Sequence, residues 1–256
     1  MGFESAYASK EADQQGFFHY SAEENAVWRD LIERQDKLLE GRAIPEVIHG
    51  LTKLDLPRDR APQVKEVDAR LKQTSHFGVD AVPAMISEEA FFDLLVNRKF
   101  PVATFVRRRD ELDYLQEPDI FHEVYGHCPL LTHRDFADTV MRFGQAAKAL
   151  GSAYFEPLYR LFWFTMEFGL VQTPEGRRIY GAGITSSAEE TVFCLEGKEV
   201  KYLRFDPVEI CATDYRIDVL QARYYVLDSM DDLHRLGASL IDELPRWCEA
   251  AGRHAA

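Results

Sequence analysis

Apolar side chains recur at helical spacing near the N-terminus of the chain. Ser21 and Glu24 are the outer positions of a capping box, an arrangement that opens many helices. The apolar residues that follow share one face at helical periodicity: Val27, Trp28, Leu31, Ile32, Leu38 and Leu39. This pattern predicts a helix, and similar but shorter patterns predict helices over residues 44–54 and 62–71.

The remainder of the chain predicts more helices with a few short strands between them. Caps at Ser87, Ser187 and Ser229 each open a helix, and Gly151 ends a helix over residues 134–150. A strongly apolar stretch predicts a further helix over residues 157–170. Residues 77–83 have the pattern of a loop or short strand, and residues 100–106, 178–183 and 215–227 are strand-like or extended.

Helical segments outnumber strands, so the fold class is predicted to be mainly α with a small β content, an α+β arrangement. We find no internal repeat, low-complexity tract or interior linker, which predicts a single domain over residues 1–256. Residues 1–16 are expected to form a loose tail, and residues 229–256 a C-terminal helix and tail.

Composition supports a globular protein and narrows the kinds of partner. The chain has 256 residues, of which 46% are hydrophobic and 12% aromatic, and this suffices for a substantial core. A formal net charge of −13 argues against nucleic acid or an anionic membrane as partner, because both attract basic faces. No stretch of about 18 apolar residues predicts a spanning helix. No secretory signal pattern is visible at the N-terminus, so we expect a cytoplasmic protein.

The cysteines of the chain lie far apart: Cys128, Cys194, Cys211 and Cys248. A zinc or disulfide framework would show paired spacing, so this pattern is typical of reduced thiols. Cys128 directly follows a histidine, which leaves open a thiolate ligand there, although a packing role is favoured because Pro129 follows it.

The strongest chemical signal is the pair His122 and His127, with Glu123 between them. On an ideal helix, residues five apart point about 140° away from each other. The two imidazoles converge on one metal only if the turn is widened, as in a π-bulge, or if the helix ends at His127. Gly126 and Pro129 permit either distortion. We therefore predict a short, irregular helix with Asp119 as its N-cap, ending near His127.

Glu167 is the best candidate for a third ligand. It is the only charged residue in the apolar run LFWFTMEFGL, and a carboxylate is costly to bury there unless it is paired or binds a metal. The alternative is a Glu on the single solvated face of a core helix. Two imidazoles and one carboxylate form the ligand set of a non-haem Fe(II) centre, which leaves about three coordination positions open for water, O2 and substrate.

Residues close to these ligands indicate a pocket for a flat, apolar anion. Phe121, Tyr125, Phe162, Trp163 and Phe164 are expected to line it. Arg107 is the first of three consecutive arginines, which form either an anion-binding spot or a solvated turn. An aromatic pocket with one fixed cation suits an aromatic amino acid. A zinc peptidase with Glu123 as its general base is disfavoured, because its histidines would be one residue closer together.

Three motifs, in the order PDIFHEVYGHCPLL, FWFTMEFGL and YGAGITSS, closely resemble the pterin-dependent aromatic amino acid hydroxylases, and most of all the compact bacterial phenylalanine 4-hydroxylases. The resemblance extends from about residue 16 to residue 227. It implies a monooxygenase that uses Fe(II), a tetrahydropterin such as tetrahydrobiopterin, and O2 to convert L-phenylalanine to L-tyrosine.

The resemblance also implies roles for individual residues. The implied iron ligands are His122, His127 and Glu167. The implied substrate contacts are Arg107 at the carboxylate and Trp163 and Phe162 beside the ring. Ser186 is implied to contact the substrate as well and to support an iron histidine. The implied pterin contacts are Phe91 by stacking, Ala84, Met85 and Ile86 through their backbone, and Glu123 through water.

Two positions depart from the animal members of the family. Phe162 stands where they have a tyrosine, and Leu115 replaces a threonine that contacts the substrate. Neither change touches the ligand set. No regulatory domain precedes the catalytic region and no long tetramerisation helix follows it, so a monomer is expected. Two alternatives remain, a hydroxylase that prefers tryptophan or tyrosine and a non-catalytic relative that binds metal or pterin.

Overall fold

The computed structural model of the chain describes residues 7–113, 115 and 117–254. The described part is mainly helical, as predicted. In chain order, its α-helices are α1 Ala22–Leu39, α2 Pro45–Leu54, α3 Val64–Thr74, α4 Glu88–Val96, α5 Cys128–Leu131, α6 Arg134–Leu150, α7 Phe155–Phe162, α8 Ala182–Thr185, α9 Ala188–Glu196, α10 Pro207–Cys211 and α11 Met230–His254.

Two small sheets accompany the helices. Strands β1 Gly78–Val82 and β2 Lys99–Ala103 pair in parallel, with Gly78 opposite Lys99, and α4 makes the connection between them. The other strands are β3 Leu170–Thr173, β4 Gly176–Ile179, β5 Lys201–Arg204 and β6 Arg223–Leu227. They form one sheet in the order β4-β3-β6-β5, in which only the β3–β4 pair is antiparallel.

The predicted helix starts agree closely with the structure. The Ser21, Ser87 and Ser187 side chains each accept a hydrogen bond from the backbone N–H three residues later, and α1, α4 and α9 begin at the next residue. At the other end of α6, Gly151 has φ +82°, a conformation that glycine adopts easily and that ends the helix. Local capping chemistry therefore sets these boundaries.

The predicted helix over residues 157–170 is not continuous. Helix α7 ends at Phe162, Trp163–Glu167 forms a π-helical turn, and β3 begins at Leu170. A side chain at position 169 would clash with the Tyr180 ring and the Thr165 carbonyl, so only glycine fits there. Of the expected extended stretch 215–227, only β6 is a strand, and β5 and α10 were not predicted because they are too short to show a period.

Part of the expected N-terminal tail is packed. Residues 1–6 lie outside the described range. The backbone N–H of Thr104 donates a hydrogen bond to the Ser9 hydroxyl, and the Thr104 hydroxyl donates one to the Lys10 carbonyl. Lys10 also forms an ion pair with Glu24. Residues 9 and 10 are thus attached beside β2 and α1.

A single large core joins most helices, with Trp28, Phe121 and Phe143 among its fully buried side chains. In this core, the segments before and after the histidine pair pack against each other, in agreement with the predicted single domain. Within the described residues, no helix is both long enough and apolar enough to cross a membrane.

Candidate metal centre and active-site cavity

The segment Phe121–His127 is π-helical, so of the two distortions that the histidine spacing allowed, the widened turn is the one present. Because a π turn brings residues five apart into line, it turns His122 and His127 toward the same side. Asp119 acts near its start, where its carboxylate accepts a hydrogen bond from the His122 backbone N–H at 3.0 Å. The helix does not end near His127 as predicted. It continues as α5 to Leu131, with Pro129 in the first turn, where a missing N–H is tolerated.

Gly126 lets a neighbouring element approach this π-helical turn. A Cβ at Gly126 would lie 2.9 Å from the Ala182 carbonyl oxygen and 3.3 Å from Cβ of Ser186. Helix α8 and the residue after it therefore pack directly onto the backbone between the two histidines. This contact brings Ser186 to the metal-binding face.

The third candidate ligand also lies on a π-helical turn. In Trp163–Glu167, the Phe168 N–H donates to the Trp163 carbonyl at 2.9 Å, which places Glu167 at the end of that turn. A backbone N–H from Gly183 donates to the Glu167 carboxylate. Both π turns and α8 thus converge on one point.

The three predicted ligands lie within mutual reach of one ion. His127 Nε2 lies 3.0 Å from Glu167 Oε1, and His122 Nε2 lies 3.6 Å from Glu167 Oε2. The two Nε2 atoms are 3.2 Å apart. Both histidines thus present the same ring nitrogen to the Glu167 carboxylate, as a shared metal would require.

Ser186 determines which nitrogen of His122 can bind a metal. The Ser186 hydroxyl donates to the Ala182 carbonyl at 2.8 Å, so its oxygen accepts from His122 Nδ1–H at 2.9 Å. This hydrogen bond leaves the lone pair of His122 on Nε2, the atom that faces Glu167. The donor set and its support therefore fit a divalent metal.

Glu123 is a second carboxylate at this site, and its ligand atom lies within 4.8 Å of those of both histidines. Protonation separates the two candidates, because a carboxylate ligand must be ionised. Burial raises the pKa of Glu123 well above its ordinary value, helped by the charges of Glu167 and Asp119. Burial would also raise the pKa of Glu167, but the charge interaction and hydrogen bond with His127 outweigh it and lower that pKa. These opposite pKa shifts favour Glu167 over Glu123 as the carboxylate ligand.

Burial lowers the pKa of His122 to about 4, so its imidazole is neutral near pH 7. A neutral imidazole is the form that binds metals. Two of the three predicted ligands are thus held in the protonation state that metal binding needs.

A buried ion pair holds Arg107 at the same site. Its Nε and Nη2 donate to both Asp119 carboxylate oxygens at 3.0 Å and 2.8 Å, and its backbone N–H donates at 2.9 Å. Burial would raise the pKa of Asp119, but the Arg107 charge and these hydrogen bonds keep it below its ordinary value. The guanidinium is therefore a fixed cation with further N–H donors to spare.

One cavity of about 490 Å³ is lined by all the residues to which the family resemblance gives a role. Its lining includes His122, His127, Glu167, Arg107, Trp163, Phe162, Ser186, Phe91, Ala84, Met85, Ile86 and Glu123. Phe91 stacks on Tyr159 at 5.5 Å and meets Phe162 edge-on at 5.4 Å. The implied pterin and substrate positions are thus continuous with the metal position.

Some expected pocket residues lie elsewhere. Phe121, Tyr125 and Phe164 are buried in the core and do not line the cavity, because they occupy other sides of the two π turns. Cys128 is also buried. Its thiol donates to the Glu123 carbonyl, and burial raises its pKa, which disfavours a thiolate ligand.

The three arginines do not form one anion site. Only Arg107 lines the cavity, while Arg108 pairs with Glu111 and Arg109 with Asp30 at the surface. The anion-binding interpretation thus applies to Arg107, and the solvated interpretation to its two neighbours.

Several lining residues were missed by sequence reasoning. They are Tyr159, Phe168, Glu190, Tyr215, Ile217, Val219, Leu220 and Gln221. Phe168 and Glu190 stand in stretches that were singled out for other reasons. The segment 215–221 had been expected to be a strand, so nothing in its pattern pointed to a pocket.

Comparisons with known proteins identify the family of the chain. A family model described as biopterin-dependent aromatic amino acid hydroxylase matches residues 3–248. A phenylalanine-4-hydroxylase of Pseudomonas aeruginosa is 45% identical over 249 residues, covering 97% of this chain and 95% of that protein.

Solved structures show the same architecture. The apo structure of the cold-active phenylalanine hydroxylase from Colwellia psychrerythraea superposes with a TM-score of 0.93 at 43% identity, covering 96% of this chain and 95% of that one. The phenylalanine hydroxylase of Chromobacterium violaceum with bound oxidised Fe(III) gives a TM-score of 0.86 at 41% identity, covering 94% and 90%.

Proposed function

Because the chain belongs to the biopterin-dependent aromatic amino acid hydroxylase family, we propose how its residues convert L-phenylalanine to L-tyrosine. The activity is that of a pterin-dependent aromatic amino acid monooxygenase. The observation that carries the assignment of residues is the convergence of His122, His127 and Glu167 at the cavity, with their ligand atoms 3.0–3.6 Å apart.

In this proposal, the three residues hold Fe(II) through His122 Nε2, His127 Nε2 and the Glu167 carboxylate. Bound Fe(II), together with O2 and tetrahydropterin, supplies the oxidising chemistry. Ser186 keeps the His122 lone pair on Nε2, as its hydrogen bond at Nδ1 requires. These three residues would hold the iron at the cavity that they line, within reach of the bound substrate and pterin.

Arg107 binds the carboxylate of the amino acid. Its link to Asp119 fixes the guanidinium plane, and its remaining N–H groups can form paired hydrogen bonds to a carboxylate. Ser186, which lines the cavity beside His122, supports the same carboxylate. The amino acid is thereby anchored at one end while its ring extends into the cavity.

The ring of the substrate packs beside Trp163 and Phe162. Trp163 stacks on Tyr215 at 4.4 Å and lies against Phe168 at 4.6 Å, so this wall is aromatic and flat. A flat wall favours a planar apolar ring and excludes water from the reacting carbon.

Tetrahydropterin occupies the part of the cavity formed by Phe91 and the residues 84–86. Phe91 offers a ring for stacking, and the irregular backbone of Ala84, Met85 and Ile86 offers hydrogen-bonding groups to the pterin edge. Glu123 lines the same cavity near the two histidines and contacts the pterin through water.

The conversion test uses Fe(II) loaded without oxygen, followed by O2, tetrahydropterin and phenylalanine, tyrosine or tryptophan, with products separated by chromatography. Wild-type protein should form tyrosine from phenylalanine faster than it hydroxylates the other two. His122→Ala and Glu167→Ala should lose the activity. Faster hydroxylation of tryptophan or tyrosine would replace the substrate assignment, and no product despite bound iron would favour a binding protein.

We also propose that the protein acts as a cytoplasmic monomer, with L-phenylalanine as its small-molecule partner and without a nucleic-acid or membrane partner. The net charge of −13 supports the last two points. Light scattering of the purified chain should give the mass of one copy. A stable tetramer would contradict the monomer.

A further inference from the structure

One wall of the cavity lacks regular secondary structure. We call it the substrate wall and define it as residues 215–221, between α10 and β6. Five of its residues line the cavity: Tyr215, Ile217, Val219, Leu220 and Gln221. Ile217 and Val219 are 48% and 44% exposed, so burial of apolar side chains does little to hold this wall in place.

Gln221 is the exception, since it is only 6% exposed and its hydrogen bonds link the wall to other elements. Its side-chain amide donates to the carbonyls of Arg216 and Val219 at 2.8 Å and 3.1 Å. Its backbone N–H donates to the buried Glu190 carboxylate on α9 at 3.2 Å. The two side-chain hydrogen bonds link residues of the wall to one another, and the backbone hydrogen bond links the wall to α9.

The remaining polar atom of the Gln221 side chain reaches the aromatic pocket. Its carbonyl oxygen accepts a hydrogen bond from Trp163 Nε1 at 3.1 Å. An indole nitrogen can only donate, so the amide must present its oxygen to Trp163 and its NH2 group to the two backbone carbonyls. The orientation of the Gln221 amide is therefore determined by its neighbours.

This arrangement restrains the Trp163 indole at an edge as well as on its face. Tyr215 stacks on the ring with an interplanar angle of 19°, while Gln221 holds the ring nitrogen. Tilting the indole would break the bond to Gln221 and leave buried polar groups without partners, which is costly. The same residue thus fixes both the ring and the wall beside it.

We infer that Gln221 is a positioning residue that holds Trp163 and the substrate wall in the geometry that recognises the aromatic ring of the amino acid. This inference rests on the proposed function, because it concerns the same cavity. Gln221 acts through Trp163, and its contribution is to substrate affinity and to the preference for phenylalanine over the larger tryptophan.

The test variant is Gln221→Met, which keeps the length of the side chain and removes its hydrogen bonds. Phenylalanine binding is measured by calorimetry on the Fe(II)-loaded chain without oxygen, and kcat and KM by product chromatography. The dissociation constant and KM for phenylalanine should rise about tenfold, the size of effect that a few pocket contacts produce. The kcat should change less than about twofold, since the reacting groups are untouched.

Gln35→Met is the matched control. Gln35 is 1% exposed and its amide donates to the Thr191 hydroxyl at 2.7 Å, so it also holds α9 but lies away from the cavity. Both variants lose a buried amide and should lower the melting temperature. Only Gln221→Met should weaken phenylalanine binding.

A double-mutant cycle with Trp163→Phe tests the route of the effect. Phenylalanine at position 163 cannot donate to Gln221, so Gln221→Met should lower affinity clearly less in that background than in wild type, the remainder coming from the substrate wall. An affinity loss no larger than that of Gln35→Met, or one that persists fully in Trp163→Phe, would overturn the inference while the proposed function stands. Failure of the wild-type chain to bind phenylalanine would overturn both.

Discussion

The metal side and the substrate wall of the same cavity are built in opposite ways. The metal side consists of the two π turns and α8, with His127 only 5% exposed and every ligand held by a neighbour. The substrate wall is irregular, and two of its apolar side chains are almost half exposed. One side is held by dense packing, and the other largely by the hydrogen bonds of Gln221 and the stacking of Tyr215 on Trp163.

This difference indicates why metal binding and substrate binding can use differently built sides of the cavity. A metal site needs several atoms held within a few tenths of an ångström, and buried turns with satisfied hydrogen bonds provide this. A wall that admits and releases substrate needs fewer constraints. Substitutions on the metal side should therefore affect metal and stability strongly, and substitutions on the walls should affect affinity more selectively.

The largest expected effect distinguishes the two carboxylates of the metal side. Glu167→Gln removes the proposed charged ligand, so the Fe(II) affinity of this variant should fall at least about 1,000-fold. This is more than the 10- to 100-fold loss typical when a hydrogen-bond partner of a ligand is removed. Glu123→Gln keeps a neutral group where burial already favours one, so it should keep its metal. Calorimetry measures the Fe(II) affinity of both variants. Loss of metal binding in Glu123→Gln alone would show that Glu123 is the ligand.

The next effect concerns Glu190, the carboxylate that anchors the substrate wall. Burial raises its pKa from 4.5 to about 7. Because the folded state holds the proton more tightly than the unfolded state, its contribution to stability is full below pH 4.5 and is lost as pH rises through about 7. At about 1.4 kcal/mol per pKa unit, the loss is about 3 kcal/mol.

Glu190→Gln should remove this pH dependence. Its free energy of unfolding relative to wild type, from urea titrations, should rise by about 3 kcal/mol between about pH 4.5 and pH 8. Glu189→Gln, at the exposed neighbouring position, serves as control and should show no such rise. Parallel behaviour of Glu190→Gln and wild type across this range would refute the prediction.

A smaller effect is expected from the support of His122. Ser186→Ala removes the hydrogen bond at Nδ1, and metal affinity should fall about 10- to 100-fold. Ser187→Ala is the adjacent control. It removes the cap of α9, which should lower stability by about 1 kcal/mol and leave metal affinity unchanged. Equal metal affinities in the two variants would show that the serine does not orient the ligand.

The smallest effect is expected at the pterin end of the cavity. Met85 is 50% exposed and lines the cavity, so Met85→Ala should change the free energy of unfolding by less than about 0.5 kcal/mol. Its KM for tetrahydropterin should nevertheless rise. Ile241→Ala removes a similarly exposed side chain on α11, away from the cavity, and should change neither quantity. A KM that is equal in both variants would show that the Met85 side chain does not contact the pterin.

Much of the metal side was predictable because its signals are local. The five-residue spacing of His122 and His127 required either a widened turn or a helix end, and the structure has the widened turn. The lone charge of Glu167 in an apolar run indicated a partner, and both imidazoles lie beside it. The three errors in the pocket lining, Phe121, Tyr125 and Phe164, have a shared cause. They follow from proximity in sequence, which does not say which side of a π turn a ring occupies.

The amino-acid sequence alone determined the helix caps, the types of ligand and the need for an irregular turn between the histidines, because these depend on neighbours a few positions apart. The direction of each ring, the pairing of Arg107 with Asp119 and the junction of Gln221 with Trp163 arise from packing between distant segments. Such contacts form only when the core closes, since the hydrogen bonds of a buried group depend on whichever surfaces meet around it. For that reason the chemistry of the metal could be predicted, whereas the wall that selects the substrate could not.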